Sequence, residues 1–340
     1  MALSGEHTYV GFGFGAIQAG LYLYEAYRSG AFRRLVVAEI IPEVVAAVRN
    51  IAQADHVERS TIGPIEIEDP HQVSDRERLI AAVAEAHEIG TGVPSVSYYV
   101  SSGDGSLHRI LAEGLRRKAA QDLPRAVVYT AENHNHAAEI LQARVFDIIP
   151  AEEHDAVHAK VRFLNSVIGK MSGTVTTSSE IERLGLLRAT SAADRAYLVE
   201  TFNRILISQI DFADGVPFTR GIDVFQEKRD LLPFEEAKLY GHNATHALLA
   251  YLAETRRLPL IADLRAESGI MEFARAAFID ESGAALCQKY AGVDPLFTTE
   301  GYQAYADDLL IRMTNPYLHD TTERVGRDPA RKLGWDDRLI

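Results

Sequence analysis

The chain has 340 residues, of which 47% are hydrophobic and 24% charged, a composition typical of folded proteins with buried cores. A single cysteine excludes a disulfide framework and a four-thiolate metal site, and it suits a reducing, cytoplasmic location. The net charge of −13, together with the lack of a secretory signal or a long apolar run, argues against nucleic-acid and membrane partners. We therefore expect an intracellular, two-domain enzyme.

Short apolar runs alternate with helical patterns along the first half of the chain. Strands are predicted at the nearly continuous apolar runs, which are residues 7–11, 35–41, 95–100 and 126–130. Helices are predicted between and after them, at residues 16–28, 43–53, 107–118 and 137–143. This alternation indicates an α/β fold with a Rossmann-type parallel sheet that is covered by helices on both faces.

Helical periodicity dominates after about residue 180. The predicted helices in this part are residues 192–207, 233–255, 265–279, 284–290 and 302–313. We therefore predict a Rossmann-type domain over residues 1–185 and a mostly α-helical substrate and catalytic domain over residues 186–340.

A glycine-rich turn follows the first predicted strand and opens the first predicted helix. It reads Gly11-Phe-Gly13-Phe-Gly15-Ala16, which fits the pattern G-x-G-x-x-A. In this pattern Gly11 makes a tight turn and Gly13 lets the backbone approach a pyrophosphate, while Ala16 allows close packing of helix and strand. Gly15 leaves the register open, because Gly13-x-Gly15 could serve equally.

An acidic residue, Glu39, ends the second predicted strand. A carboxylate there can accept hydrogen bonds from both ribose hydroxyls and repel a 2′-phosphate, so NAD is predicted as the cofactor rather than NADP. The alternative is a turn without a ligand and a solvated Glu39. The candidate cofactor-binding residues are Gly11, Gly13, Phe14, Gly15, Ala16 and Glu39.

The stretch from Lys238 to His246 is the most unusual in the chain. On an α-helix, Asn243 lies roughly 140° and His246 roughly 80° around the axis from Lys238, so all three can face one cleft. A dehydrogenase needs a base for the alcohol proton and donors for the developing alkoxide. This trio supplies both, provided that burial or a nearby cation lowers the pKa of the lysine. The alternative is a solvated lysine with Asn243 and His246 in packing roles.

Polar residues also follow the strand predicted at residues 126–130. Ligands bind beyond the carboxyl ends of parallel strands, so Asn133 is a candidate second donor to the reacting oxygen. The alternative role for Asn133 is an Asx turn or a helix cap.

Four histidines raise the question of a metal site. His242 and His246 are four residues apart on a predicted helix, and His134 and His136 lie after the strand at 126–130. No HExxH motif frames the helical pair, and no carboxylate lies at an expected ligand offset. We therefore predict no metal, with a metal-dependent enzyme as the alternative.

Several motifs carry a resemblance to a known family. Lys238-x4-Asn243-x2-His246 matches a K-x4-N-x2-H pattern, and residues 130–133 (Thr-Ala-Glu-Asn) resemble a CEN or CDN segment. Further matching segments are Asn315-Pro-Tyr-Leu, Glu323-Arg-Val-Gly-Arg-Asp-Pro-Ala-Arg-Lys-Leu and Asp337-Arg-Leu. Through them the chain resembles, over essentially its whole length, the polyol-specific long-chain dehydrogenase/reductase family, which includes the mannitol dehydrogenases. The later segments are similar to its sugar-phosphate branch.

The resemblance implies a Rossmann domain, a helical C-terminal domain, NAD and no metal. It implies that Lys238 is the general base and that Asn133 and Asn243 stabilise the alkoxide. His246 would orient the substrate oxygen, and Glu235 would help the base to exchange protons with solvent.

The same resemblance implies that Arg324 and Lys332 reach the substrate. The basic residues in this segment are Arg324, Arg327, Arg331 and Lys332. Four cations within nine positions form a local patch that suits a phosphate, unless they are a solvated face paired with Glu323 and Asp328. The expected reaction interconverts a sugar alcohol phosphate and a ketose phosphate. The alternatives are an unphosphorylated polyol or hexuronate as substrate, or a non-catalytic NAD-binding protein.

Two departures from the family are visible. Family members carry a V-D-R-I segment with a substrate-facing Asp, and Ile168 stands at that place here, which puts the identity of the substrate in question. The chain also ends at Ile340, where relatives continue, so it is either a short member or a shortened chain. The sequence predicts no particular oligomeric state.

Overall fold

The computed structural model describes residues 3, 5–49, 63–190, 193–200, 204–335 and 337–339. Two compact units divide the chain, Met1–Leu231 and Leu232–Ile340. The division lies later than the predicted boundary near residue 185, because the strands between residues 186 and 231 belong to the first unit. Parts of two predicted helices, residues 50–53 and 192 with 201–203, lie outside the described residues.

A six-stranded parallel sheet organises the first unit. Its strands are β1 (His7–Phe12), β2 (Phe32–Ala38), β3 (Glu66–Glu68), β4 (Glu88–Thr91), β5 (Ala126–Thr130) and β6 (Val161–Leu164). They lie in the order β3-β2-β1-β4-β5-β6, and every neighbouring pair is parallel. This is the strand order of a doubly wound dinucleotide-binding fold, which places ligands beyond the carboxyl ends of the central strands.

Helices cover both faces of this sheet. The α-helices of the first unit are α1 (Tyr24–Ser29), α2 (Pro42–Arg49), α3 (Val73–Glu85), α4 (Leu107–Ala120), α5 (Ala137–Phe146), α6 (His154–His158) and α7 (Ser178–Arg183). A π-helical segment, Gln18–Leu23, precedes α1, and short 3₁₀ helices span Val96–Tyr99 and Ala151–Glu153. Successive residues of β2 enter different apolar clusters, since Val36 joins one and Leu35 and Val37 the other. Both faces are therefore buried, as a parallel sheet requires.

The strand predicted at residues 95–100 is wrong. Val96–Tyr99 is a 3₁₀ helix whose N-terminus is capped by the side chain of Ser95. The strand in this part of the chain is β4, whose apolar signal is weakened by Glu88. That side chain is nevertheless fully buried, because its carboxylate accepts a hydrogen bond from the Tyr129 hydroxyl at 2.8 Å.

Two small sheets follow, and two of their strands lie where a helix is predicted. Their strands are β7 (Ser166–Ile168), β8 (Ser172–Val175), β9 (Arg188–Thr190), β10 (Ala193–Val199), β11 (Ile205–Ser208) and β12 (Phe225–Lys228). They form the sheets β8-β10-β9 and β12-β11-β7. The helix predicted at residues 192–207 is wrong, because β10 and β11 occupy its described part. Ile205, Leu206 and Ile207 are all buried, which a strand inside a sheet permits.

The second unit is mainly helical in its described part. Its α-helices are α8 (Leu232–Glu236), α9 (Ala244–Thr255), α10 (Ile270–Ala276), α11 (Ala284–Lys289), α12 (Thr299–Met313), α13 (Thr322–Gly326) and α14 (Pro329–Lys332). The π-helical segments are Ala237–Asn243 and Ala277–Gly283, and the 3₁₀ helices are Ile261–Ala266, Pro295–Phe297 and Pro316–Leu318. The helices predicted at 233–255, 284–290 and 302–313 are confirmed, whereas the one at 265–279 is broken between Ala266 and Ile270. In the described residues, no helix combines the length and the apolar character that a membrane span requires.

Candidate active site

The glycine-rich turn joins β1 to the first helix. Gly13 makes the turn, with φ of +83°, and a Cβ atom there would lie 2.9 Å from the carbonyl oxygen of Gly92. Gly11 lies within β1, where a Cβ atom would lie 2.2 Å from the side-chain nitrogen of Gln18. The left-handed conformation is thus needed at Gly13, and Gly11 makes room for a buried side chain.

The outer side of the turn is open. A Cβ atom at Gly15 would meet no described atom within 4 Å, and the helix begins at the next residue, Ala16. The amide of Ala19 closes the first turn on the carbonyl oxygen of Gly15 at 2.9 Å. An open backbone followed by the N-terminus of a helix has the geometry that a phosphate group requires.

Phe14 is fixed by three contacts rather than exposed to a ligand. Its amide donates to Oε2 of Glu39 at 2.8 Å, and its carbonyl oxygen accepts from the Tyr197 hydroxyl. Its ring is buried and packs edge-on against that of Tyr197, with the centroids 5.7 Å apart. Phe14 therefore holds the turn in place, and its own amide is already occupied.

Glu39 directly follows β2 and holds the turn from the other side. Its Oε1 accepts from the amides of Ile40 at 2.7 Å and Ile41 at 2.9 Å, in addition to the bond from Phe14. A carboxylate has roughly four acceptor positions, so one remains for a ribose hydroxyl. Glu39 thus stabilises the turn and retains capacity to bind a ligand.

The loop after β5 is anchored by Glu132. This buried carboxylate accepts from Thr91 Oγ1 at 2.8 Å, from the Val93 amide at 3.0 Å and from the Tyr99 hydroxyl. These donors lie in and after β4, so Glu132 ties together the carboxyl ends of two neighbouring strands. The next residue, Asn133, is exposed at that edge of the sheet, where ligands of such folds bind.

The four histidines lie in two different units. His134 and His136 are 6.2 Å apart between ring centroids in the loop after β5, and His242 and His246 are 6.1 Å apart on the helix of the second unit. Across the described residues, no three His, Cys, Asp or Glu side chains are grouped so that they could hold a metal ion.

Lys238 and Asn243 lie on a π-helical segment rather than on a regular α-helix. The segment Ala237–Asn243 is continued by α9, which carries His246. The π-helix closes its hydrogen bonds from residue i to i+5, so residues five apart lie more nearly on one side than the predicted 140° separation. The segment therefore brings Lys238 and Asn243 closer in direction than regular α-helical geometry would, and such segments often occur at functional sites.

Lys238 is half-buried, and its charge is destabilised. Burial lowers the pKa of its ammonium group to about 8, the neighbouring Glu235 carboxylate raises it, and the positive charge of Arg338 lowers it further. Glu235 itself is buried. A lysine with this pKa is about half neutral at pH 8, so it can accept a proton near physiological pH.

His246 lies against a buried carboxylate. Its Nε2 atom is 3.0 Å from Oδ2 of Asp320, whose other oxygen pairs with Arg324. Burial, followed by the positive charges of Arg324, Lys332 and Arg338, lowers the pKa of His246 to about 3, so the imidazole is neutral at pH 7. Burial also lowers the pKa of His242 well below its usual value.

Basic residues of the C-terminal segment gather around this histidine. Their ion-pair partners are Asp320 for Arg324 and Asp337 for both Arg331 (2.7 Å) and Arg338 (2.6 Å). Lys332 is buried and donates to the Val325 carbonyl oxygen. Burial lowers its pKa, and so do the charges of Arg338, Arg331 and Arg327. Cations that lower one another's pKa form an electrostatically unfavourable group, which an anionic ligand would stabilise.

Ile168 lies in the first unit. It ends β7, pairs with Ile205 of β11 and is 8% exposed within an apolar cluster that includes Phe225. The aliphatic side chain at this position is thus part of an apolar core.

Sequence reasoning missed three residues that shape these sites. The periodicity predicts a helix at Tyr197, which instead holds the turn at Phe14 from strand β10. Asp320 and Arg338 were not selected, although both lie beside the candidate catalytic residues. The i, i+4 spacing of Asp320 and Arg324 is the one sequence signal that points to their pairing.

Comparison with known proteins bears on both units. Residues 230–340 match a family model described as the mannitol dehydrogenase C-terminal domain. The mannitol 2-dehydrogenase of Pseudomonas fluorescens, solved as a ternary complex with NAD and D-mannitol, is 16% identical, with a TM-score of 0.71 over 96% of this chain and 72% of that one. A D-sorbitol dehydrogenase in substrate-free form is 14% identical, with a TM-score of 0.73 over 97% of this chain and 74% of that one.

The fold places the chain in a class with a Rossmann-type α/β unit followed by a helical unit, and this predicted fold class is confirmed. The match of residues 230–340 is more specific, since it assigns the second unit to the mannitol dehydrogenase C-terminal domain. The family match thus concerns the second unit, and the two solved structures are similar to the chain in fold.

Proposed function

We propose that the chain is an NAD-dependent dehydrogenase of sugar alcohols that interconverts a sugar alcohol phosphate and a ketose phosphate. Mannitol 1-phosphate and fructose 6-phosphate are the first pair to test, which is the reaction of a mannitol-1-phosphate 5-dehydrogenase. The observation that carries the proposal is Lys238, whose pKa burial lowers to about 8, on one helix with Asn243 and His246. That helix belongs to the unit that matches the mannitol dehydrogenase C-terminal domain.

The first unit fits NAD. The backbone at Gly13 and Gly15, with the helix that begins at Ala16, would hold the pyrophosphate, and Glu39 would bind the ribose. The similar mannitol 2-dehydrogenase was solved with NAD, which supports the same cofactor here. When bound, NAD supplies the hydride acceptor for alcohol oxidation.

In the proposed mechanism Lys238 acts as the general base. Its neutral amine accepts the hydroxyl proton of the substrate, and Glu235 helps to pass that proton on to solvent. Asn133 and Asn243 donate hydrogen bonds to the oxygen as negative charge develops, an interaction typically worth about 3 kcal/mol per donor. His246, neutral at pH 7, orients the substrate oxygen.

The phosphate preference is supported by the basic residues around His246. Arg324, Lys332 and Arg338 all lower the pKa of His246, which indicates that their charges lie close to it. Arg324 pairs with Asp320 and Arg338 with Asp337, whereas Lys332 donates to the Val325 carbonyl oxygen, so the three cations together keep a net positive charge in an acidic protein. A phosphate ester offers the charge and the several acceptor oxygens that such a group binds.

An unphosphorylated polyol is the second candidate substrate. The pairing of Arg324 with Asp320 and of Arg331 with Asp337 favours it, since both guanidinium groups are then already neutralised. The two similar structures are also named for mannitol and sorbitol, which carry no phosphate.

An NAD-reduction screen tests the proposal. The panel contains mannitol 1-phosphate, sorbitol 6-phosphate, mannitol, arabinitol and hexonates, and each assay is repeated after treatment with a chelator. Turnover of a polyol phosphate that survives the chelator supports the proposal, and higher kcat/KM for the free polyol supports the second candidate. Tight NADH binding without turnover of any polyol points to a non-catalytic protein, and activity lost with the chelator points to a metal-dependent enzyme.

A further inference from the structure

A buried carboxylate that sequence reasoning did not select, Asp320, lies between two candidate site residues. It is 7% exposed, and its Oδ2 atom is 3.0 Å from Nε2 of His246. Its Oδ1 atom pairs with Arg324, four residues later. One side chain thus contacts both the histidine assigned to the substrate oxygen and an arginine assigned to the substrate.

The backbone around Asp320 is held by a second segment of the chain. Its carbonyl oxygen accepts from the Ile261 amide at 2.9 Å, and an isolated antiparallel bridge joins the next residue, Thr321, to Leu260. Thr322 adds two bonds, from its amide to the Pro259 carbonyl oxygen at 2.9 Å and from its hydroxyl to the Leu258 carbonyl oxygen at 2.7 Å. Asp320 therefore stands on a fixed backbone, as a group that orients another side chain must.

The charge state of His246 makes it important which ring nitrogen carries the proton in the contact with Asp320. The ring is neutral because burial and three nearby cations outweigh the carboxylate, so it carries one N–H. A proton on Nε2 faces the Asp320 oxygen favourably, whereas a bare Nε2 lone pair would face another lone pair. The 3.0 Å contact is not well directed for a hydrogen bond in the described structure, and such contacts often tighten only when substrate binds.

We propose that Asp320 is a positioning residue that holds His246 in the tautomer protonated on Nε2, so that Nδ1 accepts a hydrogen bond from a substrate hydroxyl other than the one whose proton Lys238 accepts. The same carboxylate holds Arg324 beside that histidine. The catalytic part of this inference rests on the proposed dehydrogenase function, whereas the tautomer can be observed without turnover.

Nitrogen NMR of the whole protein with ¹⁵N-labelled histidine measures the tautomer directly. The His246→Gln variant identifies the signals of His246 by their loss. We expect a neutral ring with the proton on Nε2 in the unmodified protein at pH 7, and a shift toward the Nδ1-protonated form in Asp320→Asn, whose amide can also donate to Nε2. A neutral ring protonated on Nδ1 in the unmodified protein would overturn the proposal, with no variant required.

Kinetics test the catalytic consequence. Asp320→Asn should lower kcat about 10- to 100-fold, because a hydrogen bond to a charged group is lost, and should leave NADH affinity unchanged. The loss should be the same for phosphorylated and free polyols, since it acts through His246. The control is Asp307→Asn, which removes the exposed pair of Asp307 with Arg275 in the same unit and should keep normal kcat.

The outcomes separate the two proposals. If the unmodified protein oxidises no polyol but His246 is protonated on Nε2, the proposed function fails while the contact stands. If the unmodified protein turns over and Asp320→Asn changes only KM for phosphorylated substrate, Asp320 acts through Arg324 alone and the positioning role is wrong.

Discussion

The candidate cofactor half-site in the first unit and the candidate catalytic half-site in the second unit depend on different features of the protein. In the first unit the proposed site is mainly backbone, because the positive φ of Gly13, the open side of Gly15 and the helix N-terminus would bind the cofactor. In the second unit it is mainly charge, because a half-buried lysine, a neutral histidine and several paired cations define it.

This difference decides what each half-site is sensitive to. Backbone geometry does not titrate, so the first half-site should respond to added side-chain atoms and little to pH. The second should respond to pH and to single charges, because burial and neighbouring ions set the protonation of its groups. Substitutions in the two half-sites should therefore separate these two behaviours.

The largest effect is expected for Lys238→Ala. Removal of a general base should lower kcat for polyol oxidation about 10²- to 10⁴-fold. NADH affinity, measured by fluorescence titration, should stay normal because the lysine belongs to the other half-site.

Lys289→Ala is the matched control for this variant. Lys289 lies in the same unit, but it is exposed and pairs with Glu236, so its loss should leave kcat near normal. Near-normal turnover of Lys238→Ala itself would show that another group removes the proton.

Lys332→Met tests the charge-based half-site at its proposed phosphate contact. The change keeps an unbranched side chain that is one atom shorter and removes the positive charge. KM for mannitol 1-phosphate should rise about 10- to 100-fold, the range expected for one hydrogen bond to a charged group, while KM for mannitol stays constant. Equal increases for the two substrates would contradict a phosphate site.

Gly13→Ala tests the backbone-based half-site. A non-glycine residue in the left-handed region costs about 1–2 kcal/mol, and the added methyl group also approaches the Gly92 carbonyl oxygen. NAD affinity should fall, about tenfold for each 1.4 kcal/mol of distortion, at every pH examined.

Gly30→Ala is the control for this variant. Gly30 also has a positive φ, of 69°, but a Cβ atom there would meet no described atom within 4 Å. Denaturant unfolding should show a comparable loss of stability with unchanged NAD affinity. Equal losses of NAD affinity in both variants would attribute the effect to strain in general rather than to the turn.

The smallest effect is a shift of the lysine pKa in opposite directions. Glu235 raises the pKa of Lys238, so Glu235→Gln should move the bend in the pH–rate profile below about 8. Arg338 lowers it, so Arg338→Met should move the bend upward. Shifts of the same sign in both variants would show that the lysine does not feel these charges as the structure arranges them.

The contrast also explains what could be predicted from sequence. The turn at Gly13, the acid Glu39 and most helices are local patterns, since a strand, a glycine string and a helix follow one another within about thirty residues. The order of the strands could not be predicted without β4. Its buried Glu88 interrupts the apolar pattern by which a strand is recognised in the sequence. That carboxylate is stabilised by a tyrosine from β5, a partner distant in sequence.

The rest of the site depends on contacts that no local pattern shows. Tyr197 supports the turn from a strand that reads as a helix, and Asp320 reaches His246 across 74 positions of sequence, from 246 to 320. The π-helical segment at Lys238 is likewise invisible to a calculation that assumes 100° per residue. Packing between distant segments, rather than propensity, places these groups.

The most direct measurement is the pH dependence of kcat/KM for polyol oxidation by the unmodified protein. Lys238 must be neutral to accept the proton, so kcat/KM should rise tenfold per pH unit at low pH and level off above about 8. In ketose reduction the same group must be protonated, so kcat/KM should fall above about pH 8. Profiles that are flat in both directions from about pH 6 to 10 would contradict Lys238 as the base.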